Sequence, residues 1–196
     1  MENKILSQDE SLELITRMIQ ETRKGFEKGG GNIFLLWGYL CLGVSLLVYF
    51  LFHYTSNYSV LWLWFLIPVL GYPFMYLIKR RDRKRIVTFI DSVICKIWIV
   101  IGFCTLLICL TILYDYSLLP ILFLISLLVT SGVAMSGLIM KFKPVIISGF
   151  IGIFICFCFL FVPWVYQTLV FSAMAIIMLI IPGHILNLSV KAEQHD

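Results

Sequence analysis

Charged residues are scarce in this chain. Asp, Glu, Lys and Arg together make up 13% of its 196 residues, whereas 61% of the residues are hydrophobic. Water-soluble domains contain about 25% charged and roughly 45–50% apolar residues. The composition therefore excludes a water-soluble globular fold, because so much apolar surface needs lipid as its solvent.

Sequence motifs of enzymes are also absent. The chain contains no HExxH zinc motif, no GxSxG nucleophile motif, no Walker loop and no acidic pair for metal-dependent phosphate transfer. Its six cysteines and three histidines do not show the spacing of a metal site. We therefore predict no cofactor and no metal, and an enzymatic function would have only His184 and Asp91 to rely on.

Long apolar segments dominate the rest of the sequence. A membrane-spanning helix needs about 20 apolar residues, and six segments meet this requirement: 33–52, 61–78, 97–114, 118–140, 145–164 and 168–188. We predict an all-α, polytopic bundle of six transmembrane helices arranged as three hairpins, because the loops between successive spans are short. Residues 1–32 precede this transmembrane domain of residues 33–188, and residues 189–196 form a tail.

The distribution of basic residues predicts the orientation of the bundle. All fifteen Lys and Arg residues precede span 1, lie between or just inside spans 2 and 3, lie between spans 4 and 5, or follow span 6. The three alternate loops contain none. Positive charge marks the cytoplasmic side, so we expect both termini in the cytoplasm. No apolar segment before residue 33 has the form of a cleavable signal peptide.

The segment before span 1 is predicted to form a cytoplasmic amphipathic helix. Ser7 and Glu10 form a capping box, so the helix is expected to begin near residue 8. Four apolar residues recur on one face of it: Leu12, Ile15, Ile19 and Phe26. The glycine-rich run at 29–32 is predicted to end the helix and act as a hinge. The helix then lies on lipid or on the bundle, covers the cytoplasmic end, or binds a partner.

A cluster of basic residues follows span 2. It contains Arg80, Arg81, Arg83, Lys84 and Arg85. Such a cluster beside a span attracts anionic lipid headgroups, at about 1 kcal/mol per base, and it is also a candidate contact for a cytoplasmic protein. We predict no nucleic-acid binding, because the run is short and lacks the aromatic residues that stack on bases.

The strongest candidate for a ligand or solute site lies near the inner end of span 6. It comprises Pro182, Gly183, His184 and Asn187. Proline lacks an N–H and frees the carbonyl four residues earlier, while His184 and Asn187 share a helix face. Polar groups and interrupted helices inside a membrane are typical of transporter sites.

Span 2 carries a counterpart at similar depth, formed by Tyr72 and Pro73. A structural interpretation stands beside the transporter one: His184 hydrogen-bonds to a neighbouring helix, with Tyr72 or Ser136 as its partner. Small residues in spans 4 and 5, among them Gly132 and Gly152, indicate close helix packing, with a polar pore lining as the alternative.

Three short motifs resemble a family of small six-span bacterial inner-membrane proteins with no assigned activity. They are FLLWGY at 34–39, LIMKFKP at 138–144 and IPGHILN at 181–187. The resemblance implies the same topology and a bacterial inner-membrane location. Members of that family are encoded beside small winged-helix transcription regulators, which implies a sensing or stress-response role. No catalytic residue is carried over.

Two classes of function follow from these features. The first is a binding, regulatory or sensing membrane protein that contacts a cytoplasmic partner or anionic lipid. The alternative is a small transporter or channel with its site at the proline-broken inner ends of spans 2 and 6. Assembly as a homo-oligomer is left open by the sequence.

Overall fold

The computed structural model describes residues 8–81, 89–111 and 120–192. Within these ranges the chain is helical apart from short connections and contains no strand. Seven α-helices run in the order α1 Gln8–Thr55, α2 Leu66–Arg81, α3 Phe89–Thr111, α4 Ile121–Met140, α5 Lys143–Cys156, α6 Trp164–Ala175 and α7 Ile181–Ala192. Short 3₁₀ helices at Tyr58–Phe65 and Phe157–Leu160 and a π-helical turn at Ile176–Ile180 link some of them.

Six helical segments are long and apolar enough to cross a membrane. Spans 1 to 6 are Gly30–Thr55, Tyr58–Ile78, Ile90–Thr111, Ile121–Met140, Lys143–Leu160 and Trp164–Ser189. Their positions match the six predicted segments, so the predicted all-α polytopic bundle is confirmed. The chain is a multi-pass membrane protein. The two helices of each predicted hairpin are in contact, and the most extensive packing joins span 4 to span 5 and span 1 to span 6.

Helix α1 continues through the glycine-rich run at 29–32, so the predicted helix break and hinge are wrong. The helix has 48 residues and is therefore about 72 Å long at 1.5 Å per residue. The glycines serve packing instead. A Cβ atom added to Gly31 would collide with the side chain of Asn187 and lie 2.9 Å from the carbonyl oxygen of Gly183. Close approach to span 6 offsets the low helix propensity of glycine.

Span 1 packs against span 6 along a row of small residues spaced by seven. Gly31, Gly38 and Ser45 form this row. A Cβ atom on Gly38 would lie 2.7 Å from Ile180, and Ser45 Oγ lies 2.7 Å from Ser172 Oγ. The first and last spans are therefore antiparallel neighbours whose backbones approach closely.

Spans 4 and 5 form a second closely packed pair. Lys141 adopts a left-handed conformation (φ 54°) directly after α4, and Phe142 N–H donates to the carbonyl of Gly137 at 3.2 Å. This tight turn folds α5 back onto α4. A Cβ atom on Gly149 would lie 2.6 Å from the Cα atom of Ala134.

The two glycines named in the prediction also lie against neighbouring helices: a Cβ atom on Gly132 would collide with Ile101 of span 3, and one on Gly152 with Met178 of span 6. Close packing at these small residues is thus confirmed.

Spans 2 and 6 remain helical through Pro73 and Pro182, so the predicted breaks at these two residues are wrong. Pro73 lies inside α2. In span 6 the turn before Pro182 widens into a π-helix, where Ile181 N–H donates to the carbonyl of Ile176, five residues earlier. Local π adjustments of this kind re-satisfy backbone groups near a proline and let a helix continue inside a membrane.

The close approach of spans 4 and 5 predicts a strong effect of one added methyl group. Gly149→Ala is expected to lower the free energy of unfolding by about 1–3 kcal/mol, because the methyl group meets backbone atoms that cannot move aside cheaply. SDS titration in mixed micelles measures this. Gly102→Ala is the matched control. A Cβ atom added to Gly102 would have the Tyr72 hydroxyl as its nearest neighbour, at 3.4 Å, and so would meet no backbone atom. Equal losses in the two variants would contradict the packing argument.

Candidate functional site

The predicted site residues occupy two places, which α1 separates. Pro182, Gly183 and His184 lie on α7 against the N-terminal half of span 1, and Asn187 lies one turn further on. Tyr72 and Pro73 lie on α2 instead.

His184 forms an interhelical hydrogen bond, but its partner is neither Tyr72 nor Ser136. Its ring Nε2 lies 3.0 Å from the hydroxyl oxygen of Tyr39 on α1, with the two rings edge to face at 6.3 Å. Ser136 is engaged elsewhere: it accepts from Trp98 Nε1 at 3.2 Å and donates to the carbonyl of Gly132. The structural interpretation of His184 therefore has a concrete partner, supplied by span 1.

Two further polar pairs join the same two spans. Asn187 Nδ2 donates to Asn32 Oδ1 at 2.9 Å, and Ser45 Oγ lies 2.7 Å from Ser172 Oγ. We call these three pairs the span 1–span 6 ladder: Asn32–Asn187, Tyr39–His184 and Ser45–Ser172. The Ser45–Ser172 pair is buried, whereas the other two are exposed to the surroundings. The ladder aligns the first and last spans at three depths.

The space beside the Pro182–Gly183 backbone is filled by side chains. Both residues are buried. A Cβ atom on Gly183 would lie 3.1 Å from Leu35 and 3.2 Å from Phe34. The surface that the transporter interpretation assigns to a solute is thus in contact with apolar side chains of α1.

Tyr72 and Pro73 belong to a different contact. The Tyr72 ring is 52% exposed and meets the edge of Trp37 at a centroid distance of 5.6 Å. Trp37 also lies on Gly71, where an added Cβ atom would be 2.6 Å from the indole ring. Pro73 is exposed. Span 2 therefore contacts the opposite flank of α1 from the ladder, and the two predicted halves do not form one cavity.

A small apolar pocket lies towards the other end of the bundle. Its volume is about 30 Å³, and its lining includes Val48, Phe52, Leu122, Trp164 and Thr168. A water molecule needs at least about 10–15 Å³ of such space and two to four polar partners, so this largely apolar pocket is too small for a solute larger than one or two waters. No charged side chain lines it.

The basic cluster is described only in part. Arg80 is exposed in the last turn of α2, which ends at Arg81. Arg83, Lys84 and Arg85 lie outside the described residues, and so do the side chain of Arg81 and the predicted capping box at Ser7. Within the described ranges no three His, Cys, Asp or Glu residues lie close enough to hold a metal ion.

The fold defines the class of the protein as a multi-pass α-helical membrane protein. No protein-family model, curated protein or solved structure matches the chain.

Sequence reasoning missed the two partners that α1 supplies, Asn32 and Tyr39. Asn32 lies in the run that the sequence predicts as a hinge, and Tyr39 enters the sequence analysis only as the last residue of the FLLWGY motif. The seven-residue spacing of Gly31, Gly38 and Ser45 is the signal that identifies this face of span 1, because residues seven apart lie on one side of a helix. Tyr39 follows the central glycine of this row directly.

The two serines of the buried Ser45–Ser172 pair are predicted to be energetically coupled. In a double-mutant cycle, Ser45→Ala and Ser172→Ala are expected to give an interaction energy of about 0.6 kcal/mol, the usual value for a hydrogen bond between membrane helices. SDS titration of the wild type, the single variants and the double variant measures it. All three serines donate to a carbonyl of their own helix. Ser45→Ala combined with Ser148→Ala is the control, because Ser45 pairs with Ser172 and not with Ser148. Coupling as large in the control pair would disprove the assignment.

Proposed function

We propose that this chain is a regulatory or sensing membrane protein that contacts a cytoplasmic partner or anionic lipid through the extension of α1. The observation that carries the proposal is the length of that helix. Only Gly30–Thr55 is needed to cross a membrane, yet α1 begins at Gln8. The 22 residues before Gly30 extend the helix by about 33 Å.

Continuity of α1 supports a regulatory role for this extension. A flexible hinge would isolate whatever binds residues 8–29 from the transmembrane bundle. An unbroken helix instead connects that segment to span 1 and to the ladder that joins span 1 to span 6. A partner on the extension would therefore act on Asn32–Asn187 and Tyr39–His184 by shifting one helix, a movement that packed helices transmit over long distances.

The basic cluster after span 2 lies at the same end of the bundle as the extension of α1, which supports this end as the contact surface. Spans 1 and 2 are antiparallel, because Phe52 contacts Tyr58 and Trp37 contacts Tyr72. The extension of α1 and the end of α2 at Arg81 therefore emerge on the same side. Arg80 is exposed there. Concentrated positive charge at this end favours the cytoplasmic side and anionic lipid headgroups, and a bacterial inner membrane fits the resemblance of the three motifs.

The alternative function is a small transporter or channel. One observation favours it: the π-helical turn at Ile176–Ile180 beside Pro182, because such turns are frequent at functional sites. Against it stand the apolar contacts of Gly183 with Leu35 and Phe34. Solute uptake by proteoliposomes that contain the wild type, and a lower uptake with the His184→Ala variant, would support transport.

Loss of the extension is predicted to remove the partner. We expect deletion of residues 1–28 to reduce the co-purifying protein at least tenfold in mild-detergent purification from native membranes, measured as stoichiometry by quantitative mass spectrometry. Ile19→Lys should have a similar effect, because it places a charge on the predicted apolar face. His184→Ala should retain the partner.

Gln20→Lys is the matched control for Ile19→Lys, since it adds the same charge outside that face. Equal loss in both variants would contradict recognition through the apolar face. A protein that purifies without any partner and retains its cellular phenotype after deletion of residues 1–28 would overturn the regulatory proposal.

A further inference from the structure

The Tyr39–His184 pair faces outward from the bundle. Tyr39 is 52% exposed and His184 is exposed. The pair also lies deep in the span. Tyr39 is about 5 Å from the middle of Gly30–Thr55, and His184 is about 11 Å from the middle of Trp164–Ser189, at 1.5 Å per residue. Both distances are less than the half-thickness of the hydrocarbon layer, about 15 Å.

The hydrogen-bonding capacity of this pair is only partly used. A neutral histidine carries one N–H donor and a tyrosine carries one O–H donor. The single bond between Tyr39 and His184 uses one of these two donors, whichever residue donates. Among the described residues neither side chain has another hydrogen-bond partner. One donor and at least one acceptor therefore face the hydrocarbon layer. A polar group without a hydrogen-bond partner costs free energy there.

The surface around the pair permits another helix to approach closely. Gly43 lies one turn from Tyr39 on the same face of α1, and an added Cβ atom there would have no neighbour within 4 Å. Leu47 and Phe50 continue this face and are 44% and 56% exposed. Small residues on an outer face are what close packing of membrane helices requires.

We propose that a second copy of this chain covers the face formed by Tyr39, Gly43, Leu47, Phe50 and His184. The two copies are related by a two-fold axis, and the spare donor of each Tyr39–His184 pair bonds to the spare acceptor of the other. The geometry of a two-fold interface requires a surface that complements itself. A pair with one spare donor and a spare acceptor meets this requirement.

A phospholipid headgroup matches this site less well than a second copy. Its phosphate and ester oxygens lie at the edge of the hydrocarbon layer, whereas the pair lies several ångströms inside it. At that depth, hydrogen-bond partners come from protein, because neither water nor headgroups are present. Acyl chains would cover Gly43 but would leave the spare donor without an acceptor.

Subunit counting tests this proposal with the full chain. Fluorescently labelled protein is reconstituted in liposomes over a range of protein-to-lipid ratios, and photobleaching steps are counted. We expect wild-type dimers, and dimers lost in Gly43→Leu, because the leucine occupies the space that the second helix needs. Tyr39→Phe combined with His184→Leu should weaken dimerisation about sevenfold, which corresponds to about 1.2 kcal/mol for the two reciprocal hydrogen bonds that disappear.

Val100→Leu is the matched control, because it adds bulk to span 3 at a position that is 62% exposed. It should dimerise as the wild type does. Misfolding would not explain a loss of dimers in Gly43→Leu, because the open space at Gly43 predicts that this variant has the same unfolding free energy as the wild type.

Three results would overturn the proposal. One is a wild type that stays monomeric at every density. Another is a dimer that Gly43→Leu leaves intact, which would place the interface elsewhere. The third is a monomer whose native mass includes a phospholipid that is lost in the Tyr39→Phe, His184→Leu variant, which would assign the face to lipid.

Discussion

The close packing of span 1 against span 6 is the interaction on which the arrangement of this bundle depends. Gly31 and Gly38 let the two helices approach until side chains of span 6 touch the backbone of span 1, and the Ser45–Ser172 pair is buried between them. Lipid chains are as apolar as leucine, so apolar side chains alone give membrane helices little reason to associate. Close contact and buried hydrogen bonds provide that reason here.

The same packing explains why residues that suggest a transport site take part in structure. Pro182 and Gly183 are buried against α1, and His184 and Asn187 reach Tyr39 and Asn32. A histidine inside a membrane needs a partner wherever it lies, because an unpaired polar group is costly there. Its presence alone therefore does not distinguish a solute site from a helix contact. The partner distinguishes them, and the partner lies 145 residues away in the sequence.

Helix α1 connects the membrane bundle to the segment outside it. A glycine run in water favours a break, because glycine gains more from the freedom of the unfolded chain than other residues do. Within α1 the run meets span 6, and Gly30 and Gly31 are buried. Packing thus reverses the effect that local propensity predicts. The consequence is one long helix that joins the predicted amphipathic extension to the ladder.

The sequence by itself determined the class of the protein and the number and positions of its spans. Both depend on the length and hydropathy of local segments, because the thickness of the hydrocarbon layer sets the length of apolar helix that spans it. Small residues in spans 4 and 5 also indicated close helix packing, but the sequence did not predict that these two spans pack on each other. Only the tertiary structure decided the continuity of α1, the persistence of the helix through Pro73 and Pro182, and the pairing of Tyr39 with His184. The continuity of α1 and the Tyr39–His184 pair depend on which distant helices meet and in what register, and local sequence does not encode that. At Pro182 the helix persists through a π-helical turn, which the residue pattern alone does not reveal.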